Sequence, residues 1–214
     1  MRARIRAVSP WIVAVVLMLA PSWASAQKGL KISVGDSPSM KEGSPGLVLI
    51  EVSDFQCPYC GEGFRDVLPR IKGKFVQTGK VELIFLDLPL QMHPHAFKSA
   101  EAAACAGDQK KFWEMHDLLF DHQQALSPEQ LPGYAGELGL DATAFQACLS
   151  SGKHAPGIRQ HIRIANSLGL RGTPDFVLAR RIPGGDKVEV LDVVTGVPPS
   201  EELENRINAL LVSK

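Results

Sequence analysis

The segment Cys57-Pro58-Tyr59-Cys60 holds two thiols separated by two residues. At that spacing one thiolate can attack a disulfide on another molecule, and the second can attack the mixed disulfide and release the product. The attacking sulfur must be ionised, which a helix N-terminus favours through its free N–H groups and its dipole. A helix is expected to begin at the pair: Pro58 is tolerated in a first turn, and Phe64, Val67, Leu68, Ile71, Phe75 and Val76 follow at helical spacing. Cys57, the outer thiol, is then the nucleophile, and Cys60, one turn inside, the resolving thiol. Two other readings of the pair stay open at this point. It could be half of a zinc site completed by His93 and His95, although one intervening proline is not a usual ligand spacing and Cys105 and Cys148 form no second pair. It could be a structural disulfide, although so small a loop constrains little of the unfolded chain. Glu51, six residues before Cys57, stands inside an apolar run. Burial raises the pKa of a carboxyl, and beneath the disulfide such a group could take up and return the proton of Cys60. The alternative is a strand nearer the sheet edge with Glu51 turned to water. The exchange reading calls for no cofactor and no metal.

The elements that must position these residues are legible from hydrophobic pattern. Gly46 to Val52 reads as a strand buried on both faces, leading through Ser53-Asp54-Phe55-Gln56 into the cysteine pair. Pro69 should kink the helix that follows. Lys80 to Leu88 reads as a second core strand. From His93 to about Leu168 the pattern is helical: an alanine-rich stretch from Ala96 to Cys105, then an apolar face of Phe112, Met115, Leu118, Leu119 and Phe120. Ser127-Pro128-Glu129-Gln130 has the form of a capping box that starts a helix ending near Gly139. Asp141 can cap the next helix, to Leu149, and Ile158 to Leu168 is a further one. Phe176 to Leu178 and Val188 to Val194 read as a hairpin about the turn Pro183-Gly184-Gly185-Asp186, before a last helix from Ser200 to Leu211. The order β, α, β, helical block, β, β, α defines an α/β protein, with no internal repeat and no long linker.

Composition narrows the function further. The 214 residues carry 23 basic and 23 acidic side chains, 45% hydrophobic residues and no low-complexity tract. That argues against disorder, a polytopic membrane protein and a phosphate-neutralising nucleic-acid binder. Residues 1–26 read as a secretory leader: Arg2, Arg4 and Arg6, an apolar run from Trp11 to Ala20, and Ala24-Ser25-Ala26 before Gln27. The run has half the roughly 20 residues a spanning helix needs. Cleavage after Ala26 removes three arginines and no acid, so the exported chain, residues 27–214, would carry a formal charge of −3. Export to a periplasmic or other extracytoplasmic compartment puts Cys57, Cys60, Cys105 and Cys148 where disulfides persist.

The element order, with Asp54-Phe55-Gln56-Cys57-Pro58-Tyr59-Cys60 and Gly172-Thr173-Pro174, resembles the DsbA-like thiol:disulfide oxidoreductases. The resemblance covers the chain from about Leu30 onward, and His93-Pro94-His95-Ala96, Ala104-Cys105-Ala106 and Lys111-Phe112-Trp113 extend it into the helical block. It implies a thioredoxin-like fold, a central mixed sheet flanked by helices, with a helical insertion at about 93–170. It makes Pro174 a cis-proline facing the disulfide, with the backbone of Thr173 exposed to pair with an extended substrate strand. It also places Glu51 where thioredoxin-fold proteins commonly hold a buried acid. Two departures bear on redox potential. Asp175 follows Pro174 where a neutral residue is usual, and an acid near Cys57 would oppose its ionisation. Pro58-Tyr59 stands where the best-known oxidases have Pro-His, so an intermediate potential is expected.

Cys105 and Cys148, both in the helical block among apolar residues, are expected to form a structural disulfide. A second redox-active pair is the alternative. His93 and His95 should cap or precede a helix, while His116, His122, His154 and His161 read as scattered over helical surface. Trp113 should pack in the insertion. The function expected is an exported oxidase that passes the Cys57–Cys60 disulfide to reduced, newly translocated proteins. A membrane DsbB- or VKOR-type partner is implied by the resemblance. About 20 residues between the cleavage site and the first core strand leave no room for an N-terminal dimerisation domain, so a monomer is expected and an isomerase disfavoured. A thiol reductase remains open, as does, from another class, a metal-binding or metallochaperone module.

Overall fold

The computed structural model describes residues 27–213; the expected leader lies outside them. Six strands form one sheet: β1 Lys31–Ser33, β2 Ser39–Met40, β3 Leu47–Ser53, β4 Val81–Asp87, β5 Asp175–Arg181 and β6 Lys187–Thr195, in the order β1-β6-β5-β3-β4-β2. β3 and β4 pair in parallel and every other pair is antiparallel, so the sheet is mixed. Every residue of β3 and β4 is buried, as their unbroken aliphatic runs require.

The first helical segment follows β3. It comprises α1 Pro58–Glu62, a π-helical turn at Gly63–Val67, α2 Leu68–Ile71 with Pro69 at its start, and a second π turn at Lys72–Val76. Pro69 has no N–H to offer the preceding turn, and the wider π turn lies immediately before it. Leu68, Ile71 and Phe75 pack on the sheet face formed by Leu47, Leu49 and Phe176, together with Leu203 and Ile207 of the last helix, α8 Ser200–Val212. Between β4 and β5 lies the helical insertion: α3 Ala96–Asp108, α4 Phe112–Asp121, α5 Leu131–Glu137, α6 Ala142–Ser151 and α7 Ala155–Ser167. Ile164 and Leu168 cover the opposite sheet face, on Val48, Ile50 and Val52. The insertion's own core of alanines, Met115, Leu119 and Phe120 runs continuously to Phe55, Cys57 and Cys60. Among the described residues no helix is long and apolar enough to cross a membrane.

Three features depart from the sequence reading. The short edge strands β1 and β2 are additional, and α5 begins at Leu131, not at Ser127. Residues 127–130 form a turn in which the Gln130 N–H donates to the Ser127 carbonyl at 2.9 Å, because buried Leu126 and Leu131 fix where the chain enters the core. The histidines are not uniformly at the surface. His122 is exposed, but His116 is fully buried, His161 bonds Asp87 at 2.9 Å and His154 bonds Asp108 at 3.0 Å. Asp141 caps α6 as expected, its side chain accepting from the Ala144 N–H at 2.9 Å.

Candidate active site

The loop that delivers the cysteines is held by its own side chains. Asp54 is buried, and its carboxylate accepts from the N–H of Gln56 at 2.7 Å and of Leu90 at 2.8 Å, and pairs with His93 Nδ1 at 2.8 Å. The Gln56 side-chain oxygen accepts from the His95 N–H at 2.8 Å. Gln123, beyond α4, donates to the carbonyls of Phe55 at 2.9 Å and Cys57 at 2.8 Å. His93 therefore clasps the cysteine loop as well as preceding α3. Asp54, Gln56 and Gln123 went unassigned in the sequence, although Asp54 and Gln56 belong to the segment that carries the resemblance, and His93 was read only as preceding a helix or as a possible zinc ligand.

Cys57 is the N-cap of α1, with extended backbone, and Pro58 occupies the first helical position. Both cysteines are free thiols here. Cys57 keeps 4% of its surface exposed while Cys60 is sealed. The Cys57 Sγ lies 3.5 Å from the carbonyl oxygen of Thr173, and the Thr173–Pro174 peptide is cis. The Asp54 N–H donates to Cys60 Sγ at 3.4 Å. Hydrogen bonding from the Cys60 thiol is the main force that lowers the Cys57 thiol to about 5; Thr173 and the backbone of Cys60 and Tyr59 assist, against partial burial. Burial pushes Cys60 strongly upward, and the neighbouring Cys57 sulfur adds to it. The pair is thus divided into a barely exposed thiolate at the helix start and a sealed, protonated thiol. The Tyr59 side chain, 65% exposed, offers surface and no charge.

Asp175 opens β5 directly after the cis-proline. Phe176 faces the α1 side of the sheet, so by strand alternation Asp175 faces the other. It is buried there, and desolvation raises its carboxyl to about 7. Glu51 is on the α1 face, in register with Phe85 and Phe176. It is 1% exposed, and burial raises its carboxyl to about 7 against the opposing pull of Lys72. Ser53 lies two residues along the same face; its hydroxyl has no hydrogen-bond partner among the described residues, and it pulls both Glu51 and Cys60 downward.

Cys105 and Cys148 are joined by a disulfide that links α3 to α6. They and His154 form the one cluster of ligand spacing among the described residues, and the two sulfurs are bonded to each other. Trp113 packs between the insertion core and the sheet, its Nε1 donating to the Ser39 carbonyl at 3.2 Å.

A mixed sheet whose central strand feeds a Cys-x-x-Cys helix start, opposite a cis-proline, defines the thioredoxin class. The thioredoxin family profile matches residues 43–188, and the chain belongs to that family. Its fold is the DsbA-like version with a helical insertion. It is similar to BdbD from Bacillus subtilis (TM-score 0.73, 19% identity, 86% of this chain and 97% of that one). It is also similar to alpha-DsbA1 from Wolbachia pipientis (TM-score 0.69, 22% identity, 82% and 91%). A curated relative, named Na(+)/H(+) antiporter NhaA 1, from Salinispora arenicola, is 39% identical over 147 residues. That match covers 68% of this chain but 22% of the relative; the chain spans about a fifth of the length of the curated relatives it matches.

Proposed function

We propose that this protein is an exported thiol:disulfide oxidoreductase that introduces disulfides into reduced proteins through Cys57–Cys60. The observation that carries the reading is the division of one thiol pair into a low-pKa sulfur at a helix start and a sealed, high-pKa sulfur below it. In the oxidised enzyme a substrate thiolate attacks Cys57 Sγ, the Cys57–Cys60 bond breaks, and Cys60 leaves with the electron pair and takes a proton. A second substrate thiolate then attacks the mixed disulfide, so the substrate gains an S–S bond and Cys57 departs as thiolate. A stable departing thiolate favours this direction, which is why a lowered nucleophile pKa supports an oxidase over a reductase. Thr173, beside the nucleophile, is the proposed contact for the substrate backbone.

Reduced exported proteins are the proposed substrates, a DsbB- or VKOR-type membrane protein the proposed partner that restores the disulfide, and the monomer the proposed working state. An extracytoplasmic site of action agrees with the leader-like sequence and with the Cys105–Cys148 disulfide, proposed to be structural. The antiporter name belongs to proteins in which the matching stretch is a minor part, and it is not carried to this chain.

The test is oxidation of a reduced, unfolded protein by the preoxidised enzyme, followed by thiol labelling and mass spectrometry. One disulfide should appear in the substrate per enzyme reduced. Cys57→Ser should abolish the transfer, and Cys60→Ser, which cannot form the enzyme disulfide, should accumulate the mixed disulfide when its Cys57 thiolate is given a substrate that already holds a disulfide. Zinc retained at one equivalent by the reduced enzyme, with no transfer, would favour the metal-binding reading instead.

A further inference from the structure

Cys60 is sealed from water, yet it must gain a proton when the disulfide opens and lose it when the disulfide closes. On the α1 face of the sheet, buried polar groups of β3 meet a buried histidine of the insertion, whose own partner reaches the surface. Three of the six buried side-chain atoms that have no hydrogen-bond partner among the described residues are Ser53 Oγ, Glu51 Oε2 and His116 Nε2. Unsatisfied buried polar atoms are costly, and several in one place call for an explanation. Ser53 and Glu51 share one face of β3, and His116 Nε2 is 4.0 Å from Glu51 Oε2.

His116 belongs to α4 of the insertion. The rings of Phe55, Phe64, Phe85, Trp113 and Phe120 surround it, with centroids 4.9 to 5.8 Å away. Its other nitrogen, Nδ1, is 2.8 Å from Asp117 Oδ1, and the Asp117 side chain is 48% exposed. Lys72 Nζ is 3.5 Å from the same oxygen. The imidazole therefore spans the wall between a buried carboxyl and a surface carboxylate. A histidine fixed only for packing would satisfy Nδ1 on Asp117 and leave Nε2 against apolar atoms. Here Nε2 faces the buried Glu51 carboxyl at 4.0 Å. The charged groups acting on it are Glu51 of β3, Asp87 at the end of β4, Lys72 of the second π turn and Asp117 on its own helix.

We infer that His116 is a positioning residue for Glu51 and the gate of a proton route Cys60–Ser53–Glu51–His116–Asp117 to solvent. The inference rests on the exchange reading of Cys57–Cys60. When a partner disulfide accepts the two electrons of the reduced enzyme and Cys60 attacks, the Cys60 proton passes through the Ser53 hydroxyl to Glu51. Glu51 gives it to His116 Nε2, and the proton on Nδ1 leaves through Asp117. His116 is then protonated on Nε2 instead of Nδ1. In the other half-cycle the substrate opens the disulfide and Cys60 leaves as thiolate. Glu51 protonates it through Ser53, Nε2–H restores Glu51, and Nδ1 is reprotonated from solvent through Asp117. One proton leaves and one enters per cycle, and His116 returns to its first tautomer. Burial holds the imidazole below its ordinary pKa, which keeps it neutral and able to alternate.

The test is the pH dependence of reoxidation by oxidised glutathione, followed by thiol labelling and mass spectrometry, in wild type, His116→Gln and Asp117→Asn. With His116→Gln the rate near neutral pH should fall by about tenfold or more, and the inflection set by Glu51 should shift. Thiolate absorbance should show the Cys57 titration unmoved, and Asp117→Asn should give a smaller loss. An unchanged rate and profile in His116→Gln overturns the inference. Should that variant fail to fold, nitrogen NMR of wild-type His116 decides: opposite tautomers in the oxidised and reduced protein are expected, and the same tautomer in both refutes the route. If wild type does not exchange with glutathione at all, the exchange reading fails first.

Discussion

Cys57 and Cys60 are the same side chain made opposite by position. One caps a helix beside Thr173 with a sliver of its surface exposed, and the other is sealed one turn further on, both within the apolar core that the insertion shares with Phe55. Titration of the reduced enzyme, followed by thiolate absorbance, should show Cys57 ionising at about 5, with Cys60 silent to the alkaline limit of the fold. Cys60→Ala removes the donor that most lowers Cys57, so the Cys57 midpoint should rise by at least about one unit, the scale of a single lost hydrogen bond to a charge. The thiol roles and the anomaly of Glu51 were legible in the sequence, because a charged residue in an aliphatic strand stands out by itself. His116 was not, since a histidine in a helix has no such contrast. The signal was present: Phe112, Met115, Leu119 and Phe120 place its position on the apolar face of α4.

At the scale of elements, hydrophobic period gave the long pieces and local chemistry gave some of their ends. Asp141 was readable as an N-cap because its carboxylate has a single task, and Asp141→Ala should cost about 1 kcal/mol in thermal unfolding. The capping pattern at Ser127 misled because burial of Leu126 and Leu131 overrides a four-residue motif. β1 and β2 are three and two residues long, too short for alternation to emerge from the sequence. The α3–α6 disulfide closes a separation of 43 residues. Replacing Cys105 and Cys148 together by alanine should cost about 2–4 kcal/mol in unfolding while leaving the rate of substrate oxidation within about twofold. A large loss of activity at unchanged stability would instead make it a second redox pair.

For the whole molecule, the balanced charge of the sequence matters less than where a few protons sit. Burial raises Glu51 and Asp175 to about 7 in the folded chain, from ordinary values of 4.5 and 3.8. The folded protein holds these protons more tightly than the unfolded one, so their contribution is full below the ordinary values and is lost as pH rises through about 7. Cys57 has the opposite sign. Its folded value lies below the ordinary 9.0, so its contribution is present at high pH and is lost as pH falls through about 5. Only the reduced protein has that thiolate. Its melting temperature should exceed that of the oxidised protein near neutral pH by at least about 2–4 °C, and the gap should close toward about pH 5. Glu51→Gln should flatten the decline shared by both forms between about pH 5 and 7.

That preference for the reduced form is the central claim, and the equilibrium of Cys57–Cys60 with glutathione measures it directly. The lowered Cys57 and sealed Cys60 predict a reduction potential of about −120 to −180 mV, the range of oxidases and isomerases. A value near about −270 mV, that of thioredoxin, would make the protein a reductase and contradict the account.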